Sequence, residues 1–170
     1  MKPVVAVSAN DVIGKTLGES HIIPWKIPSD LKRFSTLTQN CIMVCGHTTY
    51  KSLPRGLNLS DRKLIVLTRT INFQTSDPRV TFVNSYAEVM EIIKDNLDNV
   101  AIIGGSEVYA LFLEHCDEVN ITYIDVIIED GTAYFPTKNF KSDPWKMILT
   151  HVSKGPNDEY QSVFVQYKRT

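Results

Sequence analysis

Long hydrophobic runs are missing from this 170-residue chain, and no stretch approaches the ~20 consecutive apolar residues of a membrane-spanning helix. Met1 to Ala9 offers one Lys and a short apolar run broken by Ser8, too little for a secretory leader. The expected location is therefore the cytoplasm, with no membrane partner. Charge of one sign is missing too: 18 Lys and Arg stand against 19 Asp and Glu, which excludes the net basic field that drives nucleic-acid binding. Cysteine is scarce, with three residues and no dense spacing, which excludes a disulfide framework and agrees with a reducing compartment. Repeats, low-complexity tracts and Gly/Ser linkers are absent, so residues 1–170 are expected to form one domain.

What is present is ordinary globular material, 43% hydrophobic and 22% charged. Short β-branched runs read as buried strands at Val4 to Val7, Cys41 to Cys45, Leu64 to Thr68, Val80 to Val83, Val100 to Ile103, Val119 to Ile128, Met147 to Val152 and Ser162 to Tyr167. Between them lie helix signals. Ser85 and Glu88 form a capping box ahead of Tyr86, Val89, Ile93 and Leu97. A second helix is expected after Gly105 with Val108, Leu111 and Phe112 inward, and a third after Pro28 with Leu31, Phe34 and Thr38 on one face. Alternating strands and helices followed by a helix-free tail from Val119 predict an α/β fold, with an eight-stranded mixed, mainly parallel sheet flanked by about four helices.

Two motifs are best read as incidental. Ala9 to Thr16 fits a permissive phosphate-loop pattern, but Val12 and Ile13 are bulky, and Gly18, Pro24 and Pro28 follow where a helix is required. Cys41, Cys45, His47, His115 and Cys116 lack the tight paired spacing of a zinc site, so core thiols and no metal are expected. Three others carry chemistry. Asp30 shares a helix face with Leu31 and Phe34, so it either caps the helix or is a desolvated carboxylate with a raised pKa. Gly104-Gly105 at a strand end fits either a phosphate approach or a plain tight turn. Gly46 to Leu53 repeats the arrangement, with Arg69 just past a further strand.

Taken in order, these pieces resemble dihydrofolate reductase over almost the whole chain. Seven stretches match: Val12-Ile13-Gly14, Ile23 to Phe34, Gly46 to Ser52, Arg62 to Arg69, Val100 to Tyr109, Ile121 to Asp125, and Gly131-Thr132 with Phe135-Pro136. The resemblance implies a cytoplasmic monomer of one dihydrofolate-reductase-like domain, with NADPH as cofactor and dihydrofolate as substrate. It implies Asp30 as the pterin-binding carboxylate, Thr122 tying it to the sheet, Trp25 holding a water beside it, and Tyr109 against the nicotinamide. The substrate would meet Val4, Val5, Leu31, Phe34, Leu53, Leu59 and Ile103, with Arg62 on the glutamate tail. The cofactor would meet Ala6, Ile13, Gly46, His47, Thr48, Thr49, Thr68, Arg69 and Ile103, then Gly104 to Tyr109, that is Gly104, Gly105, Ser106, Glu107, Val108 and Tyr109. The family joins its two glycines by a cis peptide.

Three departures from the family pattern stand out: a long, gating Gly14 to Pro24 loop with Ile23 at a Met or Leu position, His47 in place of Arg or Lys, and Ser35 in place of Lys. Two other functions stay open, a related pyrimidine or pterin reductase and a non-catalytic NADPH-binding module.

Overall fold

Strand β1 (Lys2–Ser8) is apolar on both faces, and that is why it lies inside the sheet and not at its edge. Val5 and Val7 point into one hydrophobic cluster while Val4 points into another on the opposite side. The same alternation recurs in β4 (Ile42–Gly46), where Val44 opposes Met43 and Cys45, and in β5 (Lys63–Leu67), where Ile65 opposes Leu64 and Val66. The computed structural model describes residues 1–54, 58–70, 73–140 and 144–170.

The remaining strands of the main sheet are β6 (Val80–Val83), β7 (Val100–Ile102), β8 (Glu118–Ile124), β10 (Trp145–Ser153) and β11 (Ser162–Arg169), in the spatial order β10-β11-β8-β1-β7-β4-β5-β6. Five neighbouring pairs are parallel, and the two at the β10 end are antiparallel. This is the expected eight-stranded, mainly parallel mixed sheet. Helices α1 (Pro28–Leu37), α2 (His47–Ser52), α3 (Tyr86–Ile93) and α4 (Ser106–Phe112) join the parallel strands. Among the described residues no helix is long and apolar enough to cross a membrane.

Several expectations are corrected. The Gly14 to Pro24 loop is a hairpin of β2 (Val12–Leu17) and β3 (Ser20–Ile22), and β2 also pairs with β9 (Ala133–Tyr134) in a small three-stranded sheet. The tail is not helix-free, since α5 (Thr137–Phe140) makes one turn. Strand β8 stops at Ile124, because Val126 and Ile128 engage the turn after β1 instead: Ala9 N–H donates to the Val126 carbonyl, and the Asn10 side chain bonds both the N–H and the carbonyl of Ile128.

The capping box of α3 is formed, with Glu88 N–H donating to Ser85 Oγ at 3.2 Å. Val89 and Ile93 are buried, but the helix ends before Leu97, which sits exposed in a separate 3-10 turn. On α4 the inward residues are Val108, Tyr109 and Phe112, while Leu111 is exposed. Cys41, Cys45 and Cys116 are buried thiols, and burial pushes Cys45 and Cys116 up to about 12.

Candidate active site

Parallel strands leave their carboxyl ends side by side, and ligands of open α/β sheets bind in the crevice this makes. Here β4 and β7 end together, with Gly46 N–H donating to the Gly104 carbonyl at 2.8 Å. A cleft of about 1560 Å³ opens there and runs along β1 to α1. Its lining includes four Lys or Arg residues, Lys15, Arg33, Arg62 and Arg69, against two carboxylates, Asp30 and Glu107. Each cation is ion-paired, Lys15 with Asp130, Arg33 with Asp30, Arg62 with Asp61 and Arg69 with Glu107, so the cleft offers an anionic ligand charged donors at separate points and no net cationic field.

Asp30 sits in the first turn of α1 with its side chain 18% exposed. It does not cap the helix. The N-cap is Ile27, which supplies no side-chain bond, and the capping oxygens come from Asp158 in the β10–β11 loop, which accepts from Ser29 N–H at 3.0 Å and Ser29 Oγ at 2.6 Å. Burial raises the Asp30 pKa above its ordinary value; the Thr122 hydroxyl on β8 and the Arg33 guanidinium pull it partly back, and the Asp158 charge adds a smaller upward push. Asp30 is thus a carboxylate on a cleft wall with a raised affinity for a proton, a state suited to binding cationic or N–H-rich rings.

Leu31, Phe34 and Leu53 line the same end of the cleft, beside Val4, Val5, Ile103 and Thr122. Leu31 is 59% exposed because the surface it faces is this cleft. Arg62 also lines the cleft and is already committed: Nε donates to Thr38 Oγ1, Nη2 to the Ser35 carbonyl at 2.6 Å, and Nη1 to the Asn58 carbonyl and to Asp61. Two expected residues fall elsewhere. Leu59 is buried in the cluster with Met43 and Leu64 behind the wall, and Trp25 is half-buried outside the lining.

The other limb gathers Ala6, Ile13, Gly46, His47, Thr48, Thr49, Thr68, Arg69 and the stretch Gly104, Gly105, Ser106, Glu107, Val108 and Tyr109. Gly104-Gly105 is a cis peptide. A Cβ on Gly104, whose φ is +104°, would meet the Tyr109 ring at 2.9 Å, so only glycine fits. A Cβ on Gly105 would lie 3.4 Å from Thr49 Oγ1, in the narrow space between the two strand ends. Bare backbone and hydroxyls at this point fit the phosphates of a dinucleotide. The Ser106 hydroxyl also accepts from Tyr134 N–H at 2.9 Å, tying α4 to β9.

Tyr109 is buried, donates its hydroxyl to the Val4 carbonyl at 2.9 Å and packs on Phe135; burial raises its pKa, so the hydroxyl stays protonated. It therefore anchors the wall, and it occupies the carbonyl of Val4, one of the residues expected to meet the substrate. His47 packs edge-on against Phe73 at 4.7 Å, and burial with the nearby Lys51 charge lowers its pKa, which disfavours the charged ring. Arg69 pairs with Glu107 at 2.8 Å across the open mouth, both largely exposed.

The sequence reading missed Arg33, Phe164 and the hairpin residues Lys15, His21 and Ile22, all of which line the cleft. Arg33 was findable, since it follows Asp30 by three positions on a helix. The hairpin was not, because its short strands are mostly exposed and carry little apolar alternation.

Comparison with known proteins follows the same lines. A family model described as dihydrofolate reductase matches residues 1–169. The dihydrofolate reductase of Staphylococcus haemolyticus is 32% identical over 169 residues, covering 98% of this chain and 93% of that protein. That of Buchnera aphidicola subsp. Baizongia pistaciae is 37% identical over 146 residues, covering 86% and 82%. Among solved structures, Enterococcus faecalis dihydrofolate reductase complexed with NADP(H) and RAB-propyl superposes with a TM-score of 0.81 at 27% identity, covering 99% of this chain and 95% of that one.

Proposed function

This chain belongs to the dihydrofolate reductase family, and from that premise we propose how its cleft reduces 7,8-dihydrofolate to 5,6,7,8-tetrahydrofolate with NADPH. The product supports one-carbon metabolism and the synthesis of thymidylate and purines, and the cleft is the natural target of antifolates. NADPH, when bound, supplies the hydride for C6 of the pterin. The chain's own residues bind, orient and protect.

Asp30 receives the N–H donors of the pterin ring and favours the protonated ring, with Thr122 steadying the carboxylate from the sheet. A group committed to that edge of the pterin cannot also reach N5, so the N5 proton arrives through water. Leu31, Phe34 and Leu53 exclude bulk water from the ring, which strengthens each polar contact inside. Arg62 exchanges one of its internal partners for a carboxylate of the glutamate tail. Ala6, Ile13 and Tyr109 form the nicotinamide bed; Thr49 and the Gly104 to Ser106 backbone receive the pyrophosphate; Arg69, with His47 beside it, meets the 2′-phosphate.

The observation that carries this reading is the desolvated carboxylate of Asp30 on the cleft wall, freed from helix capping by Asp158. The test is the purified protein with NADPH, with and without dihydrofolate. Loss of reduced-nicotinamide absorbance only when dihydrofolate is present supports the reading. Cofactor binding with no dihydrofolate-dependent oxidation contradicts it and leaves a cofactor-binding module.

Residues 1–170 act as one catalytic domain in this reading. Its working form is a cytoplasmic monomer, and the buried, unpaired thiols fit a reducing compartment. Light scattering at assay concentration tests the monomer.

A further inference from the structure

Arg33 stands one helical turn after Asp30, and its Nη1 lies 3.7 Å from Asp30 Oδ1. Both side chains are withdrawn from solvent, 17% and 18% exposed. The guanidinium is held from two further elements. It stacks over the Phe164 ring of β11 at 4.9 Å, and Nη2 donates to Ser153 Oγ of β10 at 3.4 Å. Nη1, the nitrogen nearest Asp30, is buried and has no hydrogen-bond partner among the described residues. A buried donor left unpaired is costly, and neither capping nor packing of α1 calls for a cation here, because Asp158 caps the helix.

We propose that Arg33 is a positioning residue for the reduction: its guanidinium holds the Asp30 carboxylate at the cleft wall and sets the pH at which that carboxylate gives up its proton. This rests on Asp30 being the pterin carboxylate. The groups acting on Asp30 come from four elements: Arg33 on its own helix, the Thr122 hydroxyl on β8, the Asp158 carboxylate in the β10–β11 loop, and Tyr109 on α4, whose hydroxyl faces away to Val4. Arg33 is the one cation in the set, and its attraction exceeds the repulsion from Asp158. Without it, only the Thr122 hydrogen bond opposes desolvation and the Asp158 charge, and Asp30 keeps its proton to higher pH.

The test compares Arg33→Met and Arg33→Gln, which remove the charge, with Arg33→Lys, which keeps it. Carboxyl carbon NMR of the ligand-free protein, with the Asp30 signal assigned by its loss in Asp30→Asn, gives the titration midpoint directly. The expected result is an upward shift of about one pH unit in both neutral variants and most of the shift reversed in Arg33→Lys. The pH profile of kcat should move in parallel, with KM for dihydrofolate raised and NADPH affinity unchanged. An unmoved midpoint, an equal shift in Arg33→Lys, or failure of both neutral variants to melt cooperatively overturns the proposal. Full activity in Asp30→Asn would instead overturn the reading of Asp30, whatever Arg33 does.

Discussion

Asp158 and Ser29, 129 positions apart, are joined twice, by Ser29 N–H to Oδ1 at 3.0 Å and Ser29 Oγ to Oδ2 at 2.6 Å. A third bond comes from Gly155 N–H to Oδ2 at 2.6 Å. The β10–β11 loop thus caps the helix that presents Asp30, and the carboxylate next in sequence to Ser29 is released for the cleft. Those bonds also hold the Asp158 pKa below its ordinary value of 3.8.

Asp158→Ala should therefore lower Tm by several degrees at neutral pH. The sign follows from the lowered pKa: the stabilisation is complete above the unfolded value and is lost as pH falls through the folded one. The gap in Tm between the two proteins should be constant from pH 7 down to about pH 5 and close in stronger acid. Thermal melts at a series of pH values check it.

Arg62 is surrounded by partners of its own, so its removal has two effects. Arg62→Leu should raise KM for dihydrofolate roughly 10- to 100-fold, the range for a charge-assisted bond, with kcat little changed. A pterin substrate lacking the glutamate tail should show no such rise. The variant should also melt earlier, because the Ser35 and Asn58 carbonyls lose their donor. Arg62→Lys should recover little, since an ammonium cannot bridge these separate acceptors.

The pair of Arg69 and Glu107 sets a carboxylate against the charge of the cofactor's 2′-phosphate. Glu107→Gln should tighten NADPH binding a few-fold at low ionic strength and leave NADH binding unchanged. Both residues are largely exposed, so the gain should fade in ~0.5 M salt. Arg69→Ala should narrow the preference for NADPH over NADH. Fluorescence titration with each cofactor measures both.

Much of this arrangement was legible along the chain because its signals are local. The parallel strands announce themselves as β-branched runs buried on both faces, and Ser85 with Glu88 marks a helix start within four residues. Gly104 also signals locally, since the contact that demands glycine comes from Tyr109, five positions on. The unread parts depend on distant partners. Nothing near Ser29 tells of Asp158, and β2 becomes a strand by pairing with β9, more than 100 residues on. Leu111 and Tyr109 are both apolar enough for an inward position on α4; the hydroxyl bond of Tyr109 to Val4 decides between them, across 105 positions. Leu59 carried a family expectation of wall contact, yet it turns into the cluster behind the wall.

The central claim is that one desolvated carboxylate performs the selection of the pterin, and Asp30→Asn tests it most directly. Because the folded-state pKa of Asp30 is raised, ionisation above that pKa costs stability, and the wild-type protein is fully favoured only at lower pH. The account predicts that Asp30→Asn melts higher than wild type at pH 7, with the advantage shrinking in acid, and binds NADPH normally. Its kcat at pH 7 should fall at least ~100-fold. Turnover at the wild-type rate at pH 7, in a variant that folds and binds NADPH, would contradict it.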